Sequence, residues 1–278
     1  MTGASAQVSS PVSKQGHRTG FGHVLLAEWT KIRSVRSTVW SLILYVILTL
    51  GVSALFTWLA VHAVQTRQAS GAELRGDPAG VILRTGLLFG QLAIAVLGVL
   101  VMTTEYSTGV IRASLLAVPR RLSVLIAKCA VFAVLIFEIT EIVCFCSFFI
   151  GKAILSPITV VSLSQPDVAR AVIGTGLYLT VLGLFGLAIG ALIRHTAGGI
   201  AIVIGLVLVV GPLLALLDSY NWGKYVHGWF PTVAGGQITA TMQDPGTVLS
   251  AWQGFAVFCG WTVLLLAVGA FLLQKRDA

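Results

Sequence analysis

Six stretches of the chain are long, apolar and almost free of charged residues. They cover approximately positions 38–61, 83–104, 123–150, 171–193, 197–217 and 252–273. An α-helix needs about 20 apolar residues to cross the roughly 30 Å hydrocarbon core of a bilayer, and each stretch is that long. The pattern therefore predicts an all-α integral membrane fold with six transmembrane helices.

Composition supports the same class of protein. Of the 278 residues, 56% are hydrophobic and only 10% are charged, and the mean hydropathy is +0.93. A soluble domain carries about 25% charged residues, so the bilayer must act as the solvent for much of this chain. Cys129, Cys144, Cys146 and Cys259 lie inside apolar stretches without CxxC spacing. They indicate apolar packing, with neither a metal site nor a disulfide framework.

The polar segments predict the topology. An even number of spans puts both termini on one side of the membrane. With that side cytosolic, most Lys and Arg residues fall in cytosolic segments, including 31–36 and 112–128, as the positive-inside rule requires. The net charge of +8 then reflects orientation and contact with anionic lipid, and no nucleic-acid partner is expected. We predict a multi-pass plasma-membrane protein with cytoplasmic termini.

The chain begins with a polar segment. Positions 1–20 are rich in Ser, Gly and Thr and lack the apolar core of a signal peptide. We expect a disordered cytosolic tail there, followed by one transmembrane domain over 21–278.

Positions 21–36 have the pattern of a helix that lies in the membrane interface. Apolar residues, Trp29 among them, share one helical arc, whereas Lys31 and Arg33 lie off it. The apolar arc should face lipid and the cations should face headgroups. Glu28 projects near the arc and makes the amphipathicity imperfect. The alternative is a basic flank that only stops translocation.

Two loops also have helix-forming patterns. The segment 105–116, followed by Pro119 and two arginines, predicts a short amphipathic helix at the cytosolic surface. Such a helix could dock in a groove of a soluble partner, or the segment could be an ordinary loop. The outer segment 220–250 is aromatic and contains Pro and Gly. It predicts short interfacial or re-entrant helices, and Pro212 should kink or end the preceding span.

Glu138 and Glu141 are the acidic residues within the third apolar stretch. Their spacing of three places them on one helix face. Intramembrane carboxylates are costly, which favours a role in a translocation path or a site for a cationic substrate. A structural role, with the carboxyls protonated or hydrogen-bonded, is the alternative. In the fourth stretch, Gly186 and Gly190 permit close helix approach, either within one bundle or between two copies.

Two stretches carry a family resemblance. The loop residues Glu105, Gly109-Val110-Ile111, Leu115-Leu116 and Pro119-Arg120-Arg121, with the opening stretch 28–38, resemble permease subunits of the actinobacterial type-2 ABC exporters. The resemblance implies a six-helix permease with an N-terminal elbow helix, a coupling helix after the second span and outer re-entrant helices. It implies partner coupling through Glu105, Gly109, Ile111, Arg112 and Pro119. Arg112 stands where many members have an acidic residue.

The resemblance also implies partners. A second permease copy, a homodimer in the simplest case, would pair with cytosolic ABC ATPase subunits that bind ATP and Mg²⁺. This chain itself has no Walker A loop, no metal-spaced His cluster and no catalytic set, so we expect no cofactor and no enzymatic activity in it. The expected function is export of a small hydrophobic or amphipathic compound. Two alternatives are an ATP-independent channel or ion-coupled transporter that uses Glu138 and Glu141, and a lipid-modifying membrane enzyme that uses residues such as His227.

Overall fold

A computed structural model describes residues 21–276 apart from positions 35, 69, 110–120 and 245. All regular elements in this part of the chain are helical. They are α1 (Phe21–Ser34), α2 (Arg36–Gln65), α3 (Ala72–Gly76), α4 (Pro78–Ser107), α5 (Arg121–Leu155), α6 (Val168–Ile193), α7 (Thr196–Ser219, which includes π-helical and 3₁₀ turns), α8 (Asn221–Gly228), α9 (Pro231–Gly236) and α10 (Ala251–Arg276).

Within the described residues, six helices are long and apolar enough to cross a membrane, namely α2, α4, α5, α6, α7 and α10. The predicted all-α, multi-pass membrane fold is confirmed at this level. Most of the helices extend beyond the predicted apolar cores; α2, for example, begins at Arg36 and ends at Gln65. Backbone hydrogen bonding continues through polar residues at the ends of a span, and apolar counting misses these turns.

The bundle has two sides, which we define by their elements. The near side holds α1 and the C-terminal end of α10, and the far side holds α3, α8 and α9. α6 lies at the centre of the bundle, with 72% of its most apolar window buried, compared with 17% for α2 and for α7. α6 therefore packs mainly against protein, while α2 and α7 expose most of their surface.

Glycines bring α4 and α6 close together. Gly183, Gly186 and Gly190 of α6 are buried, and a Cβ atom at Gly190 would lie 2.9 Å from the carbonyl oxygen of Val99 in α4. Gly98 of α4 faces Gly183 in the same way. Small residues allow two backbones to approach closely where both helices are apolar. The glycine motif therefore packs within this bundle.

α2 turns hydroxyl groups inward and large apolar side chains outward. Its buried residues include Thr38, Tyr45, Thr49, Ser53 and Thr57, all spaced to share one face. The Ser53 hydroxyl donates to the Ile82 carbonyl (3.1 Å) and accepts from Ser147 (2.9 Å). In lipid the outer face of a helix must be apolar, so polar side chains turn towards neighbouring helices, as the Ser53 hydroxyl does.

α7 continues past Pro212 and ends at Ser219. The sequence predicted a kink or an end near this proline, and the structure instead has a π-helical segment, Gly205–Val210, directly before it. Proline lacks the N–H that would bond one turn back, and a local π turn accommodates that loss.

On the far side, the Arg170 guanidinium donates to the carbonyls of Ile238 (3.1 Å) and Ala240 (2.9 Å). This holds the segment after α9 against α6.

Candidate functional site

Four charged side chains meet on the near side of the bundle. The Lys128 ammonium of α5 lies 2.6 Å from a carboxylate oxygen of Glu28 in α1 and 2.6 Å from one of Glu105 in α4. The Lys31 ammonium of α1 lies 2.7 Å from Glu28 and 3.6 Å from Glu105. We call these residues the ion-pair cluster. It joins three helices through alternating charges.

Three of the four side chains in the ion-pair cluster are largely buried, so their charges need partners of opposite sign. The side chain of Lys128 is 3% exposed and that of Glu28 is 2% exposed, while that of Glu105 is 12% exposed. Buried charges are tolerated when they are paired and hydrogen-bonded, and here two ammonium groups balance two carboxylates. Burial alone would raise the pKa of Glu28, but the attraction of Lys128 and Lys31 outweighs it and lowers that pKa.

The sequence pattern of α1 explains how Glu28 reaches the interior. Val24, Glu28 and Ile32 are spaced by four residues and form the buried stripe of the helix. Val24 packs with Val124 and Ala127 of α5. The prediction that the apolar arc faces lipid is therefore wrong for Val24 and Ile32, which pack against protein. Glu28, which seemed a defect in the pattern, is the polar centre of this contact.

The other residues that the sequence singled out in α1 belong to two different contacts. Lys31 belongs to the ion-pair cluster, whereas the Arg33 guanidinium lies 5.8 Å from the centre of the Trp29 ring. Trp29 is half-buried against the core. A cation near an aromatic face contributes roughly 0.5–1 kcal/mol at an exposed site. This pair can stabilise the helix locally, but its energy is smaller than the several kcal/mol that breaking the ion-pair cluster would cost.

Glu105 lies in the last turn of α4, which ends at Ser107. The prediction that a separate helix starts at Glu105 is therefore wrong about its beginning, because the span itself extends to this point. Gly109 has a φ of +71°, a left-handed conformation that glycine adopts without a steric penalty. Ile111, Arg112 and Pro119 lie outside the described residues.

The two acidic residues of α5 differ in burial. Glu138, near the middle of α5, is exposed at the surface of the bundle, whereas Glu141 is half-buried and packs against Gly176 of α6. Among the described residues, neither carboxylate oxygen of Glu141 has a hydrogen-bond partner. A spacing of three residues permits a shared face, but α6 covers Glu141 and leaves Glu138 exposed.

Sequence reasoning missed Lys128, which is the centre of the ion-pair cluster. Two signals pointed to it: Lys128 is the basic residue inside the third apolar stretch, and Glu28 interrupts the apolar arc of α1. Their pairing across 100 positions depends on how α1 packs against α5. No spacing rule within one helix could supply that contact.

No protein-family model matches this chain, and comparison with curated proteins gives no match either. The described residues contain no group of His, Cys, Asp and Glu side chains that could hold a metal ion. Interpretation of the site therefore depends on its geometry and on the resemblance carried by the sequence motifs.

Proposed function

We propose that this chain is the membrane-spanning permease subunit of an ATP-driven ABC exporter, working with a separate cytosolic ATPase. The observation that carries the proposal is the ion-pair cluster. Glu105 lies immediately before the segment 108–120 and Lys128 lies shortly after it, and both are paired to α1. A docking segment is useful only if its two ends are rigidly attached to the spans, and the cluster provides this attachment.

The mechanism follows from this attachment. Motion of a docked ATPase, which would bind ATP and Mg²⁺ itself, pushes on the segment 108–120. The paired charges transmit that motion to α4 and α5 together and to α1, which acts as the interfacial elbow helix. Breaking the cluster would cost several kcal/mol, so the three helices move as one unit. The near side is cytosolic in this scheme, and a second copy of the chain completes the pathway.

The test is co-expression and co-purification with an ABC ATPase, chosen as a neighbouring reading frame that carries a Walker A loop and an ABC signature. Ile111→Asp combined with Arg112→Glu changes the proposed docking surface without touching the ion-pair cluster. We expect loss of ATPase binding and of lipid-dependent ATP hydrolysis, with unchanged elution of the permease. Arg75→Glu, on the far side in α3, is the control and should bind normally.

Two results would contradict the proposal. One is the absence of any ATPase bound to the unmodified chain. The other is unchanged binding and coupled transport in the double variant.

An ATP-independent channel or ion-coupled transporter is the second candidate. The lack of hydrogen-bond partners at the Glu141 carboxylate favours it, because such groups often mark ion pathways. Proteoliposomes containing only this chain separate the two functions. Substrate or proton flux without an ATPase, lost in Glu141→Gln, would favour the channel or ion-coupled transporter, while flux only with ATP and the ATPase would favour the exporter.

A further inference from the structure

Two neighbouring cavities lie on the far side of the bundle. The inner cavity has a volume of about 280 Å³ and lies between α4, α6, α7 and the short helices α8 and α9. The outer cavity has a volume of about 310 Å³ and opens between α8, α9 and the segment before α10. His227 and Val233 line both cavities, so these two residues lie where the cavities adjoin.

The inner cavity reaches deep into the membrane-spanning region. One of its lining residues, Gln91, lies about 20 Å along α4 from Pro78 at a rise of 1.5 Å per residue. The Tyr178 hydroxyl of α6 donates to the Gln91 side-chain oxygen at 3.2 Å. Thr232 of α9 adds a further hydroxyl. Polar side chains at this depth are expensive unless they serve packing or binding.

The wall formed by α7 is irregular. Val207 belongs to the π-helical segment, and Gly211 and Pro212 follow it directly. π-helical turns inside α-helices frequently occur at functional sites. The wall is apolar and faces the hydroxyl and amide groups of the opposite helices. This combination suits a molecule with one polar end and one apolar end.

A contact with Asp218 orients the His227 ring between the two cavities. Its Nδ1 atom lies 2.9 Å from a carboxylate oxygen of Asp218, and this contact requires a proton on Nδ1. In the neutral ring, Nε2 is then an acceptor. Asp218, Lys224 and Asp244 line the outer cavity, whereas the inner cavity lacks any Asp, Glu, Lys or Arg among its described lining residues.

We propose that the inner cavity binds the uncharged, hydrogen-bonding head of an amphipathic molecule. An ion in the inner cavity would lose its hydration without gaining a counter-charge from the lining. A head with hydroxyl or amide groups could instead exchange hydrogen bonds with Gln91, Tyr178 and Thr232. A role of this site in export rests on the proposed function. Binding of the amphipathic molecule to the cavity does not require an ATPase.

The test measures modification of a single thiol in purified protein in lipid nanodiscs. In a background with the four native cysteines replaced by alanine, Val207→Cys places a thiol in the cavity wall. Val203→Cys is the matched control, because it is a buried valine one turn earlier on α7 that does not line the cavity. N-ethylmaleimide should modify the Val207→Cys thiol at least about tenfold faster, since the control reacts only through local opening.

Three probes with the same eight-carbon chain then determine the head-group class. Octyl glucoside, octyltrimethylammonium and octyl sulfate are each added below their micelle concentrations. We expect octyl glucoside to slow modification of the Val207→Cys thiol about tenfold at saturation and the two ions to have little effect. In a Gln91→Leu background the affinity for octyl glucoside should fall about tenfold, the loss of one or two hydrogen bonds.

Several results would overturn the proposal. Equal modification of the two thiols would mean that no accessible cavity exists. Equal protection by all three probes would mean simple partition into the disc, and stronger protection by either ion would contradict the head-group class. Unchanged octyl glucoside affinity in Gln91→Leu would remove Gln91 from the site. None of these measurements includes the ATPase, so their failure is distinguishable from failure of the exporter proposal.

Discussion

α5 carries two ionisable sites that have opposite surroundings. Near its beginning, Lys128 contacts two carboxylates from two other helices. Near its middle, Glu141 packs against Gly176, and neither carboxylate oxygen has a hydrogen-bond partner among the described residues. The same helix therefore contains a fully paired buried charge and a carboxylate without a partner.

The difference separates two kinds of role. A paired cluster fixes geometry, because removing any member leaves another buried charge uncompensated. A carboxylate without a partner destabilises the fold in its resting form and persists where it serves a function. Under the proposed function, the near-side cluster would serve mechanical coupling, whereas Glu141 belongs to the second candidate, the channel or ion-coupled transporter. The predictions below test that division, beginning with the largest effect.

Lys128→Ala should destabilise the protein most. It leaves Glu28 buried without its main partner, and breaking a buried pair costs about 3–5 kcal/mol. The measurement is the unfolding temperature in detergent, followed by size-exclusion chromatography after heating. Lys152→Ala, at an exposed position on the same helix, is the control and should change little.

A companion variant tests whether the effect comes from charge imbalance. Replacing Lys128, Glu28 and Glu105 together with methionine should recover most of the lost stability, because apolar substitutes for the buried members of an ion-pair cluster are often tolerated, and the remaining member, Lys31, is partly exposed. If Lys128→Ala and Lys152→Ala lowered the unfolding temperature equally, the cluster would have no special structural role.

Glu141→Leu should stabilise the protein, in contrast to Lys128→Ala. Removing a half-buried polar group that lacks a hydrogen-bond partner should raise the free energy of unfolding by about 1–3 kcal/mol, and transport activity should fall. Thermal unfolding and transport in proteoliposomes measure the two effects. Ile142→Leu, an adjacent exposed position, is the control. A loss of stability in Glu141→Leu would show that the carboxylate has a structural partner.

The smallest effect is a pH dependence from Glu28. Because its pKa is lowered in the folded protein, the ionised form stabilises the fold at pH values above its ordinary pKa of 4.5. That contribution is lost as the pH falls below this value towards the lowered pKa. Unfolding temperatures measured from pH 6 downward should therefore decline less steeply in Glu28→Gln than in the unmodified protein. Parallel curves would contradict the pairing.

Sequence alone predicted the spans well but the contacts poorly. A run of apolar residues such as Ala171–Ile193 has one stable solution in a bilayer, because every backbone polar group must be bonded within its own helix. The pairing of Glu28 could not be predicted in this way, because its partner Lys128 lies 100 positions further along the chain. The acidic pair shows the same limit: a spacing of three gives one face of α5, but α6 covers only part of it.

The sequence by itself determined the class of protein, the number of spans and the positions of the polar segments, because partition between water and lipid depends on local composition. Tertiary structure decided which polar residues are paired: Lys128 contacts two carboxylates, whereas the Glu141 carboxylate has no hydrogen-bond partner among the described residues. It also decided where cavities lie, as at the π-helical segment of α7. Helix packing sets these features, and packing depends on shape and glycine contacts between segments that are distant in the chain.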